Sequence, residues 1–237
     1  MTEIDSTNYF AMNLAMKPDT EEFTVVWADE QTSGRGEGNN FWESEAGKNL
    51  TFSIILKPCF LKIEQQFFLS KAISLAIANF LQPIAGHISV KWPNDIYWKN
   101  KKICGILIEN IVEQNIIRNS IAGIGLNINQ EKFLSNAPNP VSLKNIMKQD
   151  YDLEFCLKEI LLQIERFYQL LIEEKFDEIN QLYLSCLYRF DEFAAFKTGK
   201  GIFQAKIIRV EDSGELVLEL TSGETQKFFF KEIEFMH

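Results

Sequence analysis

Runs of β-branched and aromatic residues alternate with turn signals between residues 22 and 128, and this pattern constrains the fold more than any other feature of the chain. One stretch at about 64–81 instead repeats apolar residues every three or four positions, with Pro83 just past its predicted end. The order predicts an α+β fold in which a helix packs on a mixed β-sheet. The predicted strands cover residues 23–27, 50–56, 89–98, 103–111 and 116–128.

The rest of the chain divides into a helical part and a β-rich part. Apolar residues recur at helical spacing over 152–187, which predicts two helices with a break near 173–176. After Tyr188 the pattern changes to short alternating strands joined by glycine-containing turns. We therefore expect a main domain at 1–187 and a small β-barrel domain at 188–237 packed against it. The predicted strands of the small domain cover residues 201–210, 215–220 and 226–230.

Composition limits the possible partners. The 237 residues are 46% apolar and 24% charged, which is enough for a full core. The net charge of −9 includes no concentrated block of Lys or Arg, which argues against binding to nucleic acid or to an anionic membrane surface. The N-terminus has no secretory signal pattern, and no uninterrupted apolar run approaches the roughly 20 residues of a membrane-spanning helix. The sequence therefore predicts a soluble, cytoplasmic protein.

Cysteine and histidine are too sparse and too scattered for a metal or disulfide framework. The cysteines occur singly, without a C-x-x-C pair, and imidazole is available at only two positions. We therefore expect no metal-ligating residues and no disulfides. The residues concerned are Cys59, Cys104, Cys156, Cys186, His87 and His237.

A glycine-rich loop is the first candidate site. Gly34, Gly36 and Gly38 lie within five residues, and Arg35 lies among them. Glycine tolerates positive φ, so such a loop can present several N–H groups to one anion, and Arg35 adds a bidentate donor that is always charged. The pattern favours a cradle for phosphate or carboxylate, although a plain flexible surface loop has the same composition.

The segment Lys91-Trp92-Pro93-Asn94-Asp95 interrupts a strand that resumes at Ile96. A proline followed by two turn-forming residues predicts a bulge in the ladder, which would aim Asn94 and Asp95 off the sheet. A simple kink in an edge strand would explain the same residues. Further on, Lys102 lies where a polar hairpin tip meets an apolar strand, so its amine either reaches inward or is solvated as an ordinary turn lysine.

Two weaker motifs complete the pattern. Gly123 and Gly125 alternate along a predicted strand and leave one of its faces bare, so another backbone or a flat ligand can approach closely. Asn127 can hydrogen-bond whatever lies there, and tight packing against a helix is the alternative. Near the N-terminus, Asp5-Ser6-Thr7-Asn8 is typical of a helix N-cap.

The motifs follow one another in a definite order: Asp5-Ser6-Thr7-Asn8, Gly34-Arg35-Gly36, Trp42-Glu43-Ser44, Gly47-Lys48-Asn49-Leu50, Lys91-Trp92-Pro93-Asn94-Asp95, Lys102 with Gly105-Ile106-Leu107 and Glu109, and Gly123-Ile124-Gly125-Leu126-Asn127. In this order they resemble those of biotin protein ligases, also called biotin–[acetyl-CoA-carboxylase] ligases. The resemblance spans both predicted domains, and the motif at 91–95 with the following lysine is its most specific part. It implies a biotin/lipoate ligase-like catalytic domain with a C-terminal SH3-like β-barrel.

The resemblance implies a two-step reaction. The biotin carboxylate attacks the α-phosphate of ATP, with Mg²⁺ as an additional cation, and biotinyl-5′-AMP and pyrophosphate are formed. A lysine amine on a biotin carboxyl carrier protein or domain then accepts the biotinyl group, and AMP is released. The implied substrates are biotin and ATP, and the implied partner is the carrier domain of a biotin-dependent carboxylase such as acetyl-CoA carboxylase.

The resemblance also assigns residues by position. Arg35 and Lys102 are the implied catalytic residues, because fixed positive charge offsets the charge that develops when two anions meet. Trp42 and Trp92 would offer stacking surfaces for biotin and adenine, with core packing as the alternative. Among the biotin contacts would be Ser6, Thr7 and Gln31, and the loop over the adenylate would include Arg35 and Gly36. The full set of implied biotin and adenylate contacts is Ser6, Thr7, Asn8, Gln31, Gly34, Arg35, Gly36, Glu37, Trp42, Lys91, Trp92, Asn94, Asp95, Lys102, Gly105, Gly125 and Asn127.

Two features depart from the family pattern. Glu37 occupies a loop position where members often have a basic residue, which predicts a weaker hold on the adenylate. The chain begins almost directly at Ser6, so we expect a short form without the N-terminal winged-helix DNA-binding domain that makes some members repressors.

Alternatives stay open at the level of sequence. Lipoate or octanoate protein ligases share the implied fold and also modify a carrier lysine. A non-catalytic biotin sensor is an alternative from a different functional class. The motif at 91–95 and the C-terminal domain favour biotin, and the presence of both Arg35 and Lys102 favours an enzyme. An exposed edge strand would also permit a homodimer.

Overall fold

The structure is a computed structural model that describes residues 1–38, 40–135 and 139–236. Asn39 of the glycine loop and His237 therefore lie outside the described residues. The helices are α1 (Thr7–Ala15), α2 (Phe67–Ala85), α3 (Leu143–Met147), α4 (Leu153–Ile172) and α5 (Phe176–Ser185). The strands are β1 (Glu3–Ile4), β2 (Thr24–Ala28), β3 (Glu30–Gln31), β4 (Leu50–Leu56), β5 (Ile88–Lys91), β6 (Asp95–Trp98), β7 (Lys101–Glu113), β8 (Ile116–Leu126), β9 (Ala194–Thr198), β10 (Gly201–Val210), β11 (Leu216–Leu220), β12 (Thr225–Phe228) and β13 (Glu234–Phe235).

The main domain is built on a six-stranded sheet with the order β2-β4-β8-β7-β6-β5. Every residue of β4 is buried. Ile54 belongs to the main core with α2, whereas Ile55 belongs to a second cluster with Ala11 and Ala15 of α1. Neighbouring residues of a strand point to opposite faces, so α1 covers one face of the sheet and α2 covers the other.

The predicted α+β fold is confirmed. All ladders of the main sheet are antiparallel, and tight turns connect β5 to β6, β6 to β7 and β7 to β8. Strands β1 and β3 pair in parallel beside it. The two helices predicted after residue 152 are present as α4 and α5, and the break between them covers residues 173–175.

Helix α2 differs from its prediction at both ends. It begins at Phe67, after a 3₁₀ turn at Ile63–Gln65, and it includes Pro83 instead of ending before it. Burial of the helix outweighs the local cost of proline in the last turn, and Gly86, with φ of 59°, ends the helix. By length and hydropathy alone, Ile63–Ala85 would also qualify as a membrane span, which the sequence analysis did not anticipate. However, 72% of its most apolar window is buried within the fold, as expected of a core helix.

The segment at 91–95 is a hairpin turn instead of a bulge within one strand. Strands β5 and β6 are antiparallel neighbours, with Lys91 opposite Asp95. The Trp92–Pro93 peptide bond is cis. The sequence prediction of one interrupted strand was wrong, because the same turn-forming residues serve a kink and a reversal, and only the pairing partner distinguishes them.

The C-terminal strands form a five-stranded antiparallel sheet with the order β12-β11-β10-β9-β13. The ring centroids of Phe203 on β10 and Phe228 on β12 are 6.0 Å apart, although β11 lies between these strands. The two rings therefore lean toward each other across β11. An antiparallel sheet of five short strands is consistent with the predicted small barrel, which stays a prediction together with the domain boundary at 187/188.

Candidate active site

A cavity of about 440 Å³ lies where the main sheet, the glycine loop, the β5–β6 hairpin and the C-terminal sheet meet. Its volume is in the range of small-molecule binding sites. Most of the predicted site residues line it, although they come from distant parts of the chain. These are Ser6, Thr7, Asn8, Gln31, Arg35, Gly36, Glu37, Trp42, Lys91, Trp92, Asn94, Asp95, Lys102, Gly105 and Gly125.

The start of α1 supplies a cluster of neutral hydrogen-bonding groups. Ser6 is the N-cap of α1, as its motif predicted, and its hydroxyl accepts a first-turn backbone N–H. Gln31 Oε1 accepts from the N–H of Thr7 at 2.8 Å and from its hydroxyl at 3.1 Å. The hydroxyl of Ser53 lies 2.8 Å from Thr7 Oγ1 and 2.6 Å from Asn8 Oδ1. This part of the cavity, which we call the α1 side, offers donors and acceptors fixed by a shared network.

Three glycines let side chains lie directly on the main sheet. A Cβ at Gly123 would overlap the amide of Asn8, and a Cβ at Gly125 would overlap the indole of Trp42. A Cβ at Gly105, which pairs with Gly125 across the β7–β8 ladder, would lie 3.0 Å from the same indole. The bare strand face is therefore covered by one side chain of α1 and by Trp42, both of which line the cavity.

Arg35 is paired with a carboxylate inside the cavity region. Its guanidinium donates to both oxygens of Glu109 on β7, at 2.9 and 3.2 Å. Glu109 also accepts from Asn8 Nδ2 at 3.0 Å, so the pair joins the glycine loop to α1. Because the Arg35 side chain is 46% exposed, this pair contributes little to folding stability, and its effect is to position the loop. Sequence reasoning did not select Glu109, although it belongs to one of the motifs quoted for the resemblance.

Lys102 and Asp95 form a second charged pair, with Nζ 2.6 Å from Oδ1. The ammonium also lies 5.7 Å from the centroid of the Trp42 ring, within the range of a cation–π attraction. Both side chains of the pair are about one-quarter exposed, at 25% and 21%. The amine is thus held in the cavity between a carboxylate and an aromatic face.

Lys91 places a further positive charge beside this pair. Its Nζ donates to the hydroxyl of Tyr97 at 3.1 Å and lies 5.1 Å from the ring centroid of Phe235 on β13. Burial lowers the pKa of Lys91, and the nearby Asp95 carboxylate opposes that shift. We call this part of the cavity, with Lys91, Asp95 and Lys102, the hairpin side.

Trp92 and Asn94 anchor the hairpin from two directions. Trp92 is 3% exposed, its ring packs edge-on against Phe230 at 6.3 Å, and its Nε1 donates to the carbonyl of Gly214 at 2.8 Å. Asn94 Nδ2 donates to the carbonyl of Ile106 on β7 at 2.7 Å. Trp92 therefore combines core packing with a small share of the cavity wall.

Two predicted contacts are not brought into the cavity. The carbonyl of Gly34 accepts from the N–H of Trp42 at 2.9 Å, which shapes the loop. Asn127 is buried, its Nδ2 donates to the carbonyl of Val141 at 3.2 Å, and its Oδ1 has no hydrogen-bond partner among the described residues. Both residues support the cavity from outside its lining.

Strand β13 and the segment before it contribute lining residues that sequence reasoning missed. No local signal in the sequence marks them as part of a site. They reach the cavity because the C-terminal part of the chain packs against the main sheet. They are Phe230, Ile233, Glu234 and Phe235.

Comparison with known proteins identifies relatives of this fold and site. A sequence model of the Biotin/lipoate A/B protein ligase family matches residues 2–127. The bifunctional ligase/repressor BirA of Bacillus subtilis is 31% identical over 237 residues, which cover 98% of this chain and 71% of BirA. The biotin–[acetyl-CoA-carboxylase] ligase of Paracoccus denitrificans is 28% identical, with 94% of each chain covered.

A solved structure shares the whole architecture. The biotin protein ligase from Aquifex aeolicus in complex with biotin and ATP has a TM-score of 0.80 and 26% sequence identity to this chain. The match covers 99% of this chain and 96% of the Aquifex chain. It therefore includes the C-terminal sheet as well as the main domain.

Proposed function

The chain belongs to the Biotin/lipoate A/B protein ligase family, and from this premise we propose that it is an ATP-dependent biotin protein ligase. It forms biotinyl-5′-AMP from biotin and ATP and transfers biotin to a lysine of a biotin carboxyl carrier protein or domain. One observation carries the proposal. A single cavity joins the neutral network of the α1 side to the lysines of the hairpin side, with Arg35 on the loop between them.

The first chemical step joins two anions. A carboxylate oxygen of biotin bonds to the α-phosphorus of ATP, the bond from that phosphorus to the bridging oxygen breaks, and pyrophosphate leaves. Lys102 and Arg35 supply positive charge where negative charge develops, and a substrate oxygen competes with Asp95 and Glu109 for these donors. The hairpin side therefore lowers the barrier by electrostatics.

The second step transfers the acyl group. The neutral amine of the carrier lysine attacks the acyl carbon, the bond to the phosphate oxygen breaks, AMP leaves with the electron pair, and the nitrogen loses a proton. An acyl-adenylate hydrolyses easily in water. Covering it with Trp42 and the glycine loop would favour the amine over water as the attacking group.

Mg²⁺ enters the proposal as the ion that accompanies ATP. Among the described residues, no group of three or more His, Cys, Asp or Glu side chains could hold a metal ion. Two carboxylates at the cavity, Asp95 and Glu109, are paired with Lys102 and Arg35. Mg²⁺ is commonly bound through substrate phosphates with few protein ligands, so we assign it no ligands in this chain.

The partner and the location extend the same proposal. Relatives are named for acetyl-CoA carboxylase, so we propose the carrier domain of a biotin-dependent carboxylase as the acceptor and the cytoplasm as its location. The homodimer stays a prediction, for which the support is that β2 lies at the edge of the main sheet.

Lipoate or octanoate ligation is the second candidate, because the matching family includes lipoate ligases. The test measures AMP release and carrier mass with ATP, Mg²⁺ and a carrier domain, using biotin, lipoate or octanoate as the acid. We expect biotin-dependent AMP release and a biotin-sized mass gain on the carrier. Transfer of lipoate or octanoate instead would refute the substrate assignment, and biotin binding without any AMP would indicate a sensor.

A further inference from the structure

The turn between β10 and β11 docks on the main domain through its backbone. Three donors of the main domain form hydrogen bonds to alternate backbone carbonyls of this turn. Lys71 Nζ donates to the carbonyl of Val210 at 3.1 Å, the N–H of Phe67 donates to that of Asp212 at 3.3 Å, and Trp92 Nε1 donates to that of Gly214 at 2.8 Å. Backbone carbonyls at fixed spacing define an orientation more strictly than apolar contact does. These bonds therefore set the angle at which the C-terminal sheet lies on the main domain.

Lys71 is the unusual member of the three donors. It lies within α2, its side chain is 1% exposed, and its Nζ also donates to Asn180 Oδ1 at 2.7 Å. The Asp212 carboxylate is 3.9 Å away, and the ring centroid of Phe68 is 4.7 Å away. A buried charge of this kind is often no more stabilising than an apolar side chain of similar volume. Folding stability alone therefore gives little reason for a lysine here.

The docked sheet forms part of the cavity wall. Phe235 of β13 and Phe230 of the segment before it line the cavity, and they lie next to Lys91 and Trp92 respectively. Glu234 lies between them in the lining. A small rotation of the C-terminal sheet would move this wall while leaving the α1 side in place.

Building on the proposed function, we propose that Lys71 is a positioning residue for ATP. It orients the C-terminal sheet so that Phe230, Glu234 and Phe235 form the nucleotide-facing wall of the cavity. The biotin contacts implied at Ser6 and Thr7 belong to the main domain and do not depend on this orientation. Loss of the Lys71 bonds therefore weakens the use of ATP and spares the use of biotin.

The test compares Lys71→Met with the wild-type protein in biotinyl-5′-AMP formation, with Lys158→Met as the matched control. Lys158 is an exposed lysine of α4, so its substitution removes a charge without touching the docking turn. We expect the KM for ATP to rise about tenfold in Lys71→Met, the effect of one lost hydrogen bond from a charged group. The KM for biotin and both kinetic constants of Lys158→Met should stay within about twofold, and a Tm well above the assay temperature should show that Lys71→Met is folded.

Other outcomes would overturn the inference. An unchanged KM for ATP in Lys71→Met, or a parallel rise for both substrates with a lower Tm, would assign Lys71 a purely structural role. If Lys71→Met does not fold, Lys71→Gln gives the same test, because it keeps a polar side chain, removes the ammonium that donates to Val210 and leaves the cavity lining unchanged. A wild-type protein that forms no biotinyl-5′-AMP would instead refute the proposed function, and this inference with it.

Discussion

The two sides of the cavity use different physical means. On the α1 side, Thr7, Gln31 and Ser53 form a neutral network in which each group fixes the next. On the hairpin side, Lys102 is paired with Asp95, and the half-buried Lys91 lies next to an aromatic residue of the C-terminal sheet. A neutral network selects a ligand by the geometry of its donors and acceptors, whereas clustered charges stabilise an anionic transition state. Under the proposed function, recognition of the acid belongs to the α1 side and activation by ATP to the hairpin side.

Substitution of Lys102 should have the largest effect on activity, because Lys102 is one of the charges that distinguish the hairpin side from the α1 side. In Lys102→Ala we expect the rate of biotinyl-5′-AMP formation to fall about 100- to 1000-fold, as when a preorganised donor to a developing charge is lost. Biotin affinity should change much less, because the α1 network is intact. Pyrophosphate release gives the rate, and calorimetry gives the biotin affinity.

The neighbouring Lys101 supplies the control for this substitution. Lys101 is exposed at the start of β7, so Lys101→Ala removes the same charge from the same strand outside the cavity. It should retain wild-type activity. A Lys102→Ala variant that also kept the full adenylation rate would show that the charged pair on the hairpin side has no catalytic part.

The dependence of stability on pH should report the buried charge of Lys71, which lies outside both sides of the cavity. Burial lowers the pKa of Lys71 from 10.5 to about 8, opposed by Asp212 and Glu211. Between these pH values the unfolded chain binds more protons than the folded protein, so the contribution of this lysine to stability rises with pH and is constant below pH 8. The full change is about 3 kcal/mol in the free energy of unfolding, at 1.36 kcal/mol per pKa unit.

Urea unfolding from pH 7 to 11 measures this effect as the difference between the wild-type protein and Lys71→Met. The subtraction cancels groups that titrate alike in the two proteins. The wild type should gain stability relative to the variant as the pH rises above 8. A difference that stays flat would mean that burial does not perturb the pKa of Lys71.

The features that the sequence could predict are those determined by local interactions. The glycine loop and the N-cap at Ser6 carry local signals, because the chemistry of these short segments determines their conformation. The same holds for the strands, whose apolar periodicity is visible in the residues themselves. Most of the predicted cavity residues come from such segments.

The rest depended on long-range packing. The hairpin at 91–95 and the passage of α2 through Pro83 were decided by pairing and burial. The approach of Phe230 and Phe235 to the cavity was decided by the docking of the C-terminal sheet. The partner of Arg35 is 74 residues away in sequence, so the pair with Glu109 has no local signal.

A substitution on the α1 side should give a smaller and selective effect. In Gln31→Ala, the N–H and hydroxyl of Thr7 lose their shared acceptor. We expect the KM for biotin to rise about tenfold and the KM for ATP to stay unchanged, since the loss of these two bonds loosens the network on the α1 side. Gln181→Ala, at an exposed position of α5, is the matched control. Equal rises for biotin and ATP would show that the two sides of the cavity are not separable.

The smallest expected effect concerns Glu37, whose carboxylate lines a cavity proposed to hold a polyanion. In Glu37→Gln we expect the KM for ATP to fall about threefold. This corresponds to about 0.7 kcal/mol, for charges about 8 Å apart at an effective dielectric constant of about 60. Glu45→Gln, at an exposed position beyond the loop, removes the same charge as a control.

Salt distinguishes this electrostatic effect from a change in loop structure. Exposed charges at this distance are screened at high ionic strength, so the advantage of Glu37→Gln should disappear in 1 M salt, where the Debye length is about 3 Å. The KM for biotin should not respond to the substitution at either salt concentration, because the α1 side selects its ligand through neutral groups. A lower KM for ATP that persists at high salt would show that Glu37→Gln acts through the conformation of the loop backbone. A change in the KM for biotin would show that Glu37 also affects ligand binding on the α1 side.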